Sequence, residues 1–359
     1  MENFMDKAKD FYDDYKGIIF SIFFVMLGAF LMFLFFSYKQ AQKEQELLEK
    51  QKAQALIKQK IEQKINFNKN LQKQIQESLN ITADSYLVVD FETEKEYFYK
   101  NKNKKQPIAS LTKIATSVVA LENFLPDTEI QISKEHLKQT ENNGLIAGEI
   151  FPIKKLLAFM MMVSSNDAAY AVSTSYENKR EGFLKMMNLL ANRIGMKSTL
   201  FFSESGLDLK RSNIAGSYST VKDISLLVKY FYQNFPEFSK EFSVSNGRFC
   251  SKNLCHKTYN TNSLFGTTEV KTILTQKPPY VGPEKEPEIQ IEKKPNFDFP
   301  ILFSKTGYTN LAKQSLAIIT EVKDRKIIIV VLGAKKGHRA NDVKILTKAV
   351  EKYLKEEKK

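Results

Sequence analysis

Histidine, arginine and cysteine are all scarce in this 359-residue chain, and each scarcity removes a class of function. The three histidines, His136, His256 and His338, stand far apart, and none has the neighbours of a Ser-His-Asp triad. Only two cysteines occur, Cys250 and Cys255. With His256 they offer three candidate ligands and no fourth, a poor zinc pattern, so no metal is expected; a small disulfide loop fits them better in an exported domain. The net charge is +13, yet 48 of the 54 basic residues are lysine and six are arginine. They spread over several segments without forming an aromatic-lined stripe. That argues against nucleic-acid recognition and suits a solvated surface near anionic lipids or polymers.

Charge is missing altogether from Gly17 to Ser37, a run dominated by Phe, Ile, Leu and Met. At 1.5 Å per residue it spans about 31 Å, the thickness of a bilayer core. No small-x-small cleavage site follows, so residues 17–37 are expected to be an uncleaved single-pass anchor and residues 1–16 a cytoplasmic tail. The flanking lysines argue otherwise: Lys7, Lys9 and Lys16 precede the run, but Lys39, Lys43, Lys50 and Lys52 follow it closely. The positive-inside rule, taken literally, puts the C-terminal side in the cytoplasm, although a large following domain weakens it. Residues 38–80 are rich in Lys, Gln and Glu, with Ile57, Ile61, Ile65, Leu71, Ile75 and Leu79 at mostly four-residue spacing. This thin stripe predicts a helical spacer of about 60 Å without the sustained heptads of a coiled coil. Weak self-association through it is a secondary expectation.

A globular domain is expected over residues 81–359. Tyr86–Phe91 and Glu96–Tyr99 read as a strand hairpin, and helical patterns follow at about 112–124, 153–163, 181–194 and 219–234. Ser315–Val322 and Lys326–Leu332 return to strand, joined at Lys323-Asp324-Arg325, and a last amphipathic helix covers about 341–355. Strands at both ends with helices between them predict an α+β fold: one antiparallel sheet built from both ends of the domain, beside an inserted helical lobe.

Three short strings carry chemistry: Ser110-Leu111-Thr112-Lys113, Ser164-Ser165-Asn166 and Lys305-Thr306-Gly307. S-x-x-K, S-x-N and K-T-G in that order mark enzymes that acylate a serine with a lysine as neighbouring base. A serine hydroxyl needs a base within hydrogen-bond reach, and residues three apart on a helix share a face. Pro107 suits a helix start just upstream. The chain also contains a control, Ser219-Thr220-Val221-Lys222, which reads as an ordinary helix start with a serine cap. Only Ser110 has the other two strings downstream.

From about Ala83 to Leu354 the chain resembles the low-molecular-mass penicillin-binding proteins of the serine D-alanyl-D-alanine carboxypeptidase family (peptidase family S11). The resemblance rests on Ala109–Ile114, Gly148-Glu149, Val163–Ala169, Met187-Asn188, Gly195-Met196, Ser205–Asp208 and Lys305–Thr309. It implies the β-lactamase/penicillin-binding-protein-like transpeptidase fold, on an N-terminal transmembrane helix. It also implies that Ser110 attacks the carbonyl of the penultimate D-alanine of a peptidoglycan stem peptide. Lys113 would be the general base, helped toward neutrality by burial and by Lys305 as a second cation. Ser164 would relay a proton to the leaving group, and Asn166 would hold Lys113 or the substrate amide. Lys305 and Thr306 would bind the terminal carboxylate beside Gly307, and the backbone N–H groups of Ser110 and Tyr308 would take the oxyanion. No cofactor is implied, β-lactams would inhibit, and the catalytic domain would lie outside the membrane because its substrate does.

The chain departs from the family pattern in four places. Ser165 stands where glycine is usual. Ala312-Lys313-Gln314 replaces an Ala-Gly-aromatic run. A Pro-, Glu- and Lys-rich insertion over residues 263–302 reads as a mobile surface loop that could gate the groove. The chain also stops soon after its last helix, without the C-terminal β domain many relatives carry. Carboxypeptidase action is the first reading and endopeptidase action on crosslinks its close variant. A β-lactamase would need a placed deacylating carboxylate, such as a Glu on a loop before the K-T-G strand, and no Glu-x-x-x-Asn there is accepted as that motif; a non-catalytic wall-binding scaffold leaves the intact motifs unexplained. Arg339 is either a further carboxylate ligand or a plain surface residue.

Overall fold

The computed structural model describes residues 2–139, 144–177, 179–209, 213–274 and 288–357. The chain forms two units, residues 1–70 and residues 71–359. A single helix, α1, runs Glu2–Glu77, and its N-terminal part is apolar and long enough to cross a membrane. The larger unit begins at Leu71, earlier than the expected boundary at residue 81, because the last turns of α1 belong to it. Leu71 and Ile75 are buried there. Gln72 Nε2 donates to the carbonyls of Glu96 and Tyr97, at 3.1 and 2.5 Å. Its side chain thereby occupies backbone groups on the edge of a sheet, where an unpaired strand would otherwise recruit another chain.

That sheet is antiparallel, in the order β12 (Ile301–Thr309), β13 (Lys313–Val322), β14 (Arg325–Ala334), β1 (Ser85–Asp90) and β2 (Glu96–Lys100). Pairing β1 with β14 joins the two ends of the domain, as the element order predicts. The period of two then divides each strand between two cores. Ile328, Val330 and Leu332 face the helical lobe, whereas Ile327, Ile329 and Val331 pack under the last turns of α1 and the final helix, α8 (Arg339–Glu357). Covering both faces explains why these strands read as continuous apolar runs.

Between β2 and β12 lie the lobe and its satellites. They comprise β3 (Gln106–Pro107), α2 (Thr112–Asn123), β4 (Glu129–Gln131), β5 (Ile150–Pro152), α3 (Ile153–Val163), α4 (Asn166–Thr174) and α5 (Lys179–Arg193). Then follow β6 (Leu200–Phe201), β7 (Ser217–Ser219), α6 (Val221–Asn234), α7 (Pro236–Phe242) and the hairpin β8 (Asn246–Cys250) with β9 (Cys255–Tyr259). Three local expectations change. Pro107 is a strand residue paired with Tyr218, not a helix start. The cap of α6 is Thr220, whose hydroxyl accepts from the Asp223 N–H, rather than Ser219. The insertion is not wholly loop: β10 (Thr267–Leu274) and β11 (Glu288–Pro295) pair antiparallel, and the flanking Leu264 and Phe297 join the second core. Its Pro-rich centre, residues 275–287, lies outside the described residues.

Candidate active site

Ser110 sits in a 3-10 turn, Ala109–Leu111, that runs directly into α2. The turn holds Ala109 at φ +48°, a left-handed conformation uncommon for a residue with a Cβ. Thr112 Oγ1 donates to the Ala109 carbonyl at 2.7 Å and holds the turn closed. One helical turn on, Lys113 is wholly buried, and its Nζ donates to Ser110 Oγ (2.8 Å), Asn166 Oδ1 (2.7 Å) and the Ser205 carbonyl (2.9 Å). Three acceptors around one nitrogen leave the amine no other orientation.

The S-x-N string lies between two helices. Ser164 ends α3 in the left-handed region, φ +64°, which turns its hydroxyl toward the sheet. Ser165 then caps α4, accepting from the Ala168 N–H at 3.1 Å. A serine in place of glycine is therefore a helix cap here. Asn166 opens α4 and carries its amide oxygen to Lys113.

K-T-G occupies β12, facing both strings. Lys305 is fully buried, and its Nζ donates to Ser164 Oγ (2.9 Å) and to the Thr306 carbonyl (2.8 Å). Burial holds the Lys305 amine well below its usual 10.5, and the charges of Lys113 and Arg339 push it the same way. Space is tight at Gly307: a Cβ there would lie 3.0 Å from the Ile108 carbonyl oxygen and 3.2 Å from the Ser110 nitrogen. Its absence lets the strand lie against the serine turn. The neighbouring Tyr308 side chain is exposed.

The tertiary structure adds residues that the motifs do not contain. Gly206, at φ +81°, approaches so closely that a Cβ would sit 2.0 Å from the Ala109 carbonyl oxygen. Asp208 accepts from Thr309 Oγ1 at 3.0 Å, tying the Ser205 loop to the end of β12. Thr261 meets Thr306, hydroxyl to hydroxyl, at 2.6 Å. Arg339 Nη1 and Nη2 donate to the carbonyls of Gly307 (3.1 Å) and Thr261 (3.2 Å), so it braces the K-T-G strand instead of standing free on the surface. Of these, Gly206 and Asp208 belong to the Ser205–Asp208 string of the family resemblance and Arg339 is a sequence candidate, but nothing in the sequence assigns them these partners. The second S-x-x-K is structural: Ser219 bonds to Thr199 and Lys222 is exposed. Cys250 and Cys255 form a disulfide, and the adjacent His256 pairs with Glu149 at 2.8 Å.

A buried serine–lysine pair roofed by an S-x-N loop and a K-T-G strand, on a two-ended antiparallel sheet with an inserted lobe, defines the penicillin-binding-protein class of fold. The family profile described as D-alanyl-D-alanine carboxypeptidase matches residues 71–278, and the chain belongs to that family of serine DD-peptidases, peptidase family S11. It is 27% identical over 257 residues to a D-alanyl-D-alanine endopeptidase of Pseudomonas aeruginosa, covering 71% of this chain and 72% of that one. It is 26% identical over 282 residues to the D-alanyl-D-alanine carboxypeptidase DacF of Bacillus subtilis, covering 76% of this chain and 63% of the relative. Penicillin-binding protein D2 of Listeria monocytogenes, solved in its ampicillin-bound form, shares the fold with a TM-score of 0.56 and 23% identity, over 76% of this chain and 98% of that one.

Proposed function

We propose that this chain is a membrane-anchored serine DD-carboxypeptidase that removes the terminal D-alanine from peptidoglycan stem peptides through an ester on Ser110. The observation that carries the reading is the Lys113 environment. Its Nζ lies 2.8 Å from Ser110 Oγ and is held there by the Asn166 oxygen and the Ser205 carbonyl, so that once the amine has lost a proton its lone pair is placed to take the Ser110 hydroxyl proton. Attack by Ser110 Oγ on the penultimate D-alanine carbonyl forms the ester and breaks the peptide bond, and the proton that Lys113 takes from Ser110 is relayed through Ser164, held by Lys305, to the departing amine. Thr306 and Lys305 receive the terminal carboxylate, while the N–H groups of Ser110 and Tyr308 hold the oxyanion. Water then releases the acyl group. β-Lactams enter the same cycle as inhibitors, in line with the ampicillin-bound relative.

The anchor is α1 at residues 17–37, with residues 1–16 in the cytoplasm, residues 38–70 as spacer and the catalytic unit outside the membrane beside its substrate. Endopeptidase action on crosslinks is the second reading, favoured by the similarity to the Pseudomonas aeruginosa endopeptidase. One assay set separates the readings: the detergent-solubilised full chain with labelled penicillin, a stem pentapeptide ending in D-Ala-D-Ala, and a crosslinked muropeptide dimer. Stable labelling and D-alanine release, both lost in Ser110→Ala, are expected. Cleavage of the dimer alone selects the endopeptidase, rapid drug hydrolysis a β-lactamase, and no signal at all removes the enzymatic reading.

A further inference from the structure

We infer that Thr261 is a positioning residue for substrate binding: its hydroxyl donates to Thr306 Oγ1 and so directs the Thr306 hydrogen at the terminal carboxylate of the substrate. The inference rests on the proposed carboxypeptidase function, in which Thr306 receives that carboxylate. Each threonine hydroxyl has one hydrogen. The two oxygens lie 2.6 Å apart, so one hydrogen occupies the space between them. If Thr306 supplied it, Thr306 would present only lone pairs to an arriving carboxylate, and the two would repel. When Thr261 supplies it, Thr306 keeps its own hydrogen for the substrate and is polarised as a donor. The alternative partner of the Thr261 hydroxyl, the Met162 carbonyl, is farther away at 3.3 Å.

The surroundings fix Thr261 at this point more firmly than a loop residue needs. Its N–H donates to the Met162 carbonyl at 3.3 Å, at the end of α3 just before the S-x-N string, and its carbonyl accepts from Arg339. The next residue, Asn262, donates from its side chain to Ser304 Oγ at 2.8 Å on β12. The preceding residue, Asn260, donates to the carbonyls of Phe242 and Val244. Thr261 follows the β8–β9 hairpin, which is closed by Cys250–Cys255 and held to the lobe where His256 and Ser251 meet Glu149. Thr261 thus touches the elements that carry two of the three motifs, yet its side chain is not needed for packing, since the residue is exposed.

The test compares wild type, Thr261→Val and Thr261→Ser in the full chain, measuring kcat and KM on the D-Ala-D-Ala peptide, the labelling rate with penicillin, and Tm. Valine keeps the shape without the donor, and serine keeps the donor. The expected result is a KM raised about tenfold in Thr261→Val, the size of one lost hydrogen bond to a charged group, with kcat and Tm little changed and Thr261→Ser within about twofold of wild type. Should valine lower Tm, Thr261→Ala against Thr261→Ser makes the same comparison. Wild-type KM in Thr261→Val, or serine as poor as valine, overturns the inference. Wild type that neither releases D-alanine nor takes the label overturns the parent reading instead.

Discussion

Lys113 reaches Ser110 across one helical turn, Nζ to Oγ at 2.8 Å, with both residues buried. This contact exists because a 3-10 turn feeds α2, which places the serine on the same face as the lysine. The Ser205 and Asn166 oxygens then prevent the amine from swinging toward solvent.

Replacing Lys113 by Met should lower the acylation rate about 10²- to 10⁴-fold, the range of a positioned general base. Lys113→Arg should not rescue it, because a guanidinium does not lose its proton in this pH range. Stopped-flow labelling with a fluorescent penicillin measures both. An arginine variant of near-wild-type rate would show that charge, not proton transfer, is what the position supplies.

Lys305 makes stability and substrate binding depend on pH in predictable directions. Its folded pKa lies well below 10.5, so between that depressed value and 10.5 the unfolded chain binds a proton that the folded chain has released. Folding stability contributed by this group therefore rises with pH through that window. Urea titrations at increasing pH should show the slope in wild type and its loss in Lys305→Met. A substrate carboxylate favours the protonated amine, so binding within the window should take up a proton and KM should rise with pH. Calorimetry in buffers of different ionisation enthalpy detects the uptake.

Gly206 has both a left-handed backbone and no room, whereas Gly195 has the same φ of +81° and nothing within 4 Å of the position a Cβ would take. Gly195→Ala should cost about 1 kcal/mol, the backbone effect alone. Gly206→Ala should cost about 3 kcal/mol or more and slow penicillin labelling as well, because the new Cβ displaces the Ala109 carbonyl. Thermal melts beside labelling rates make the comparison; equal costs at the two glycines would refute the close-approach argument.

Leu71→Ala and Ile75→Ala should each destabilise the larger unit by about 2–4 kcal/mol, as for other buried large-to-small changes. Ile61→Ala, on an exposed part of the same helix, should stay within about 0.5 kcal/mol. Denaturant unfolding of the solubilised chain separates these outcomes.

The motifs and the sheet were legible because each rests on a local signal. Ser110 and Lys113 are three residues apart, and the strand pairs at 315–332 carry β-branched runs around a tight turn. The boundary at residue 81 moved because Leu71 and Ile75 belong to the same four-residue stripe as the exposed Ile57, Ile61 and Ile65. Periodicity marks an apolar face without saying what covers it. Thr261 escaped, and Arg339 was noticed without its bracing role, for a similar reason: their partners are backbone carbonyls and a hydroxyl on other elements, and no spacing records such contacts.

By itself the order of residues determined the class of chemistry, the apolar span and the helix-to-strand sequence, since all three depend on neighbours within a few positions. Only the folded chain decided which lysine meets which oxygen, how far Arg339 reaches and where the compact unit begins. Those depend on backbone approaches between segments distant in sequence, such as Gly206 against Ala109 and Gly307 against Ser110, and such approaches exist only once both cores have closed.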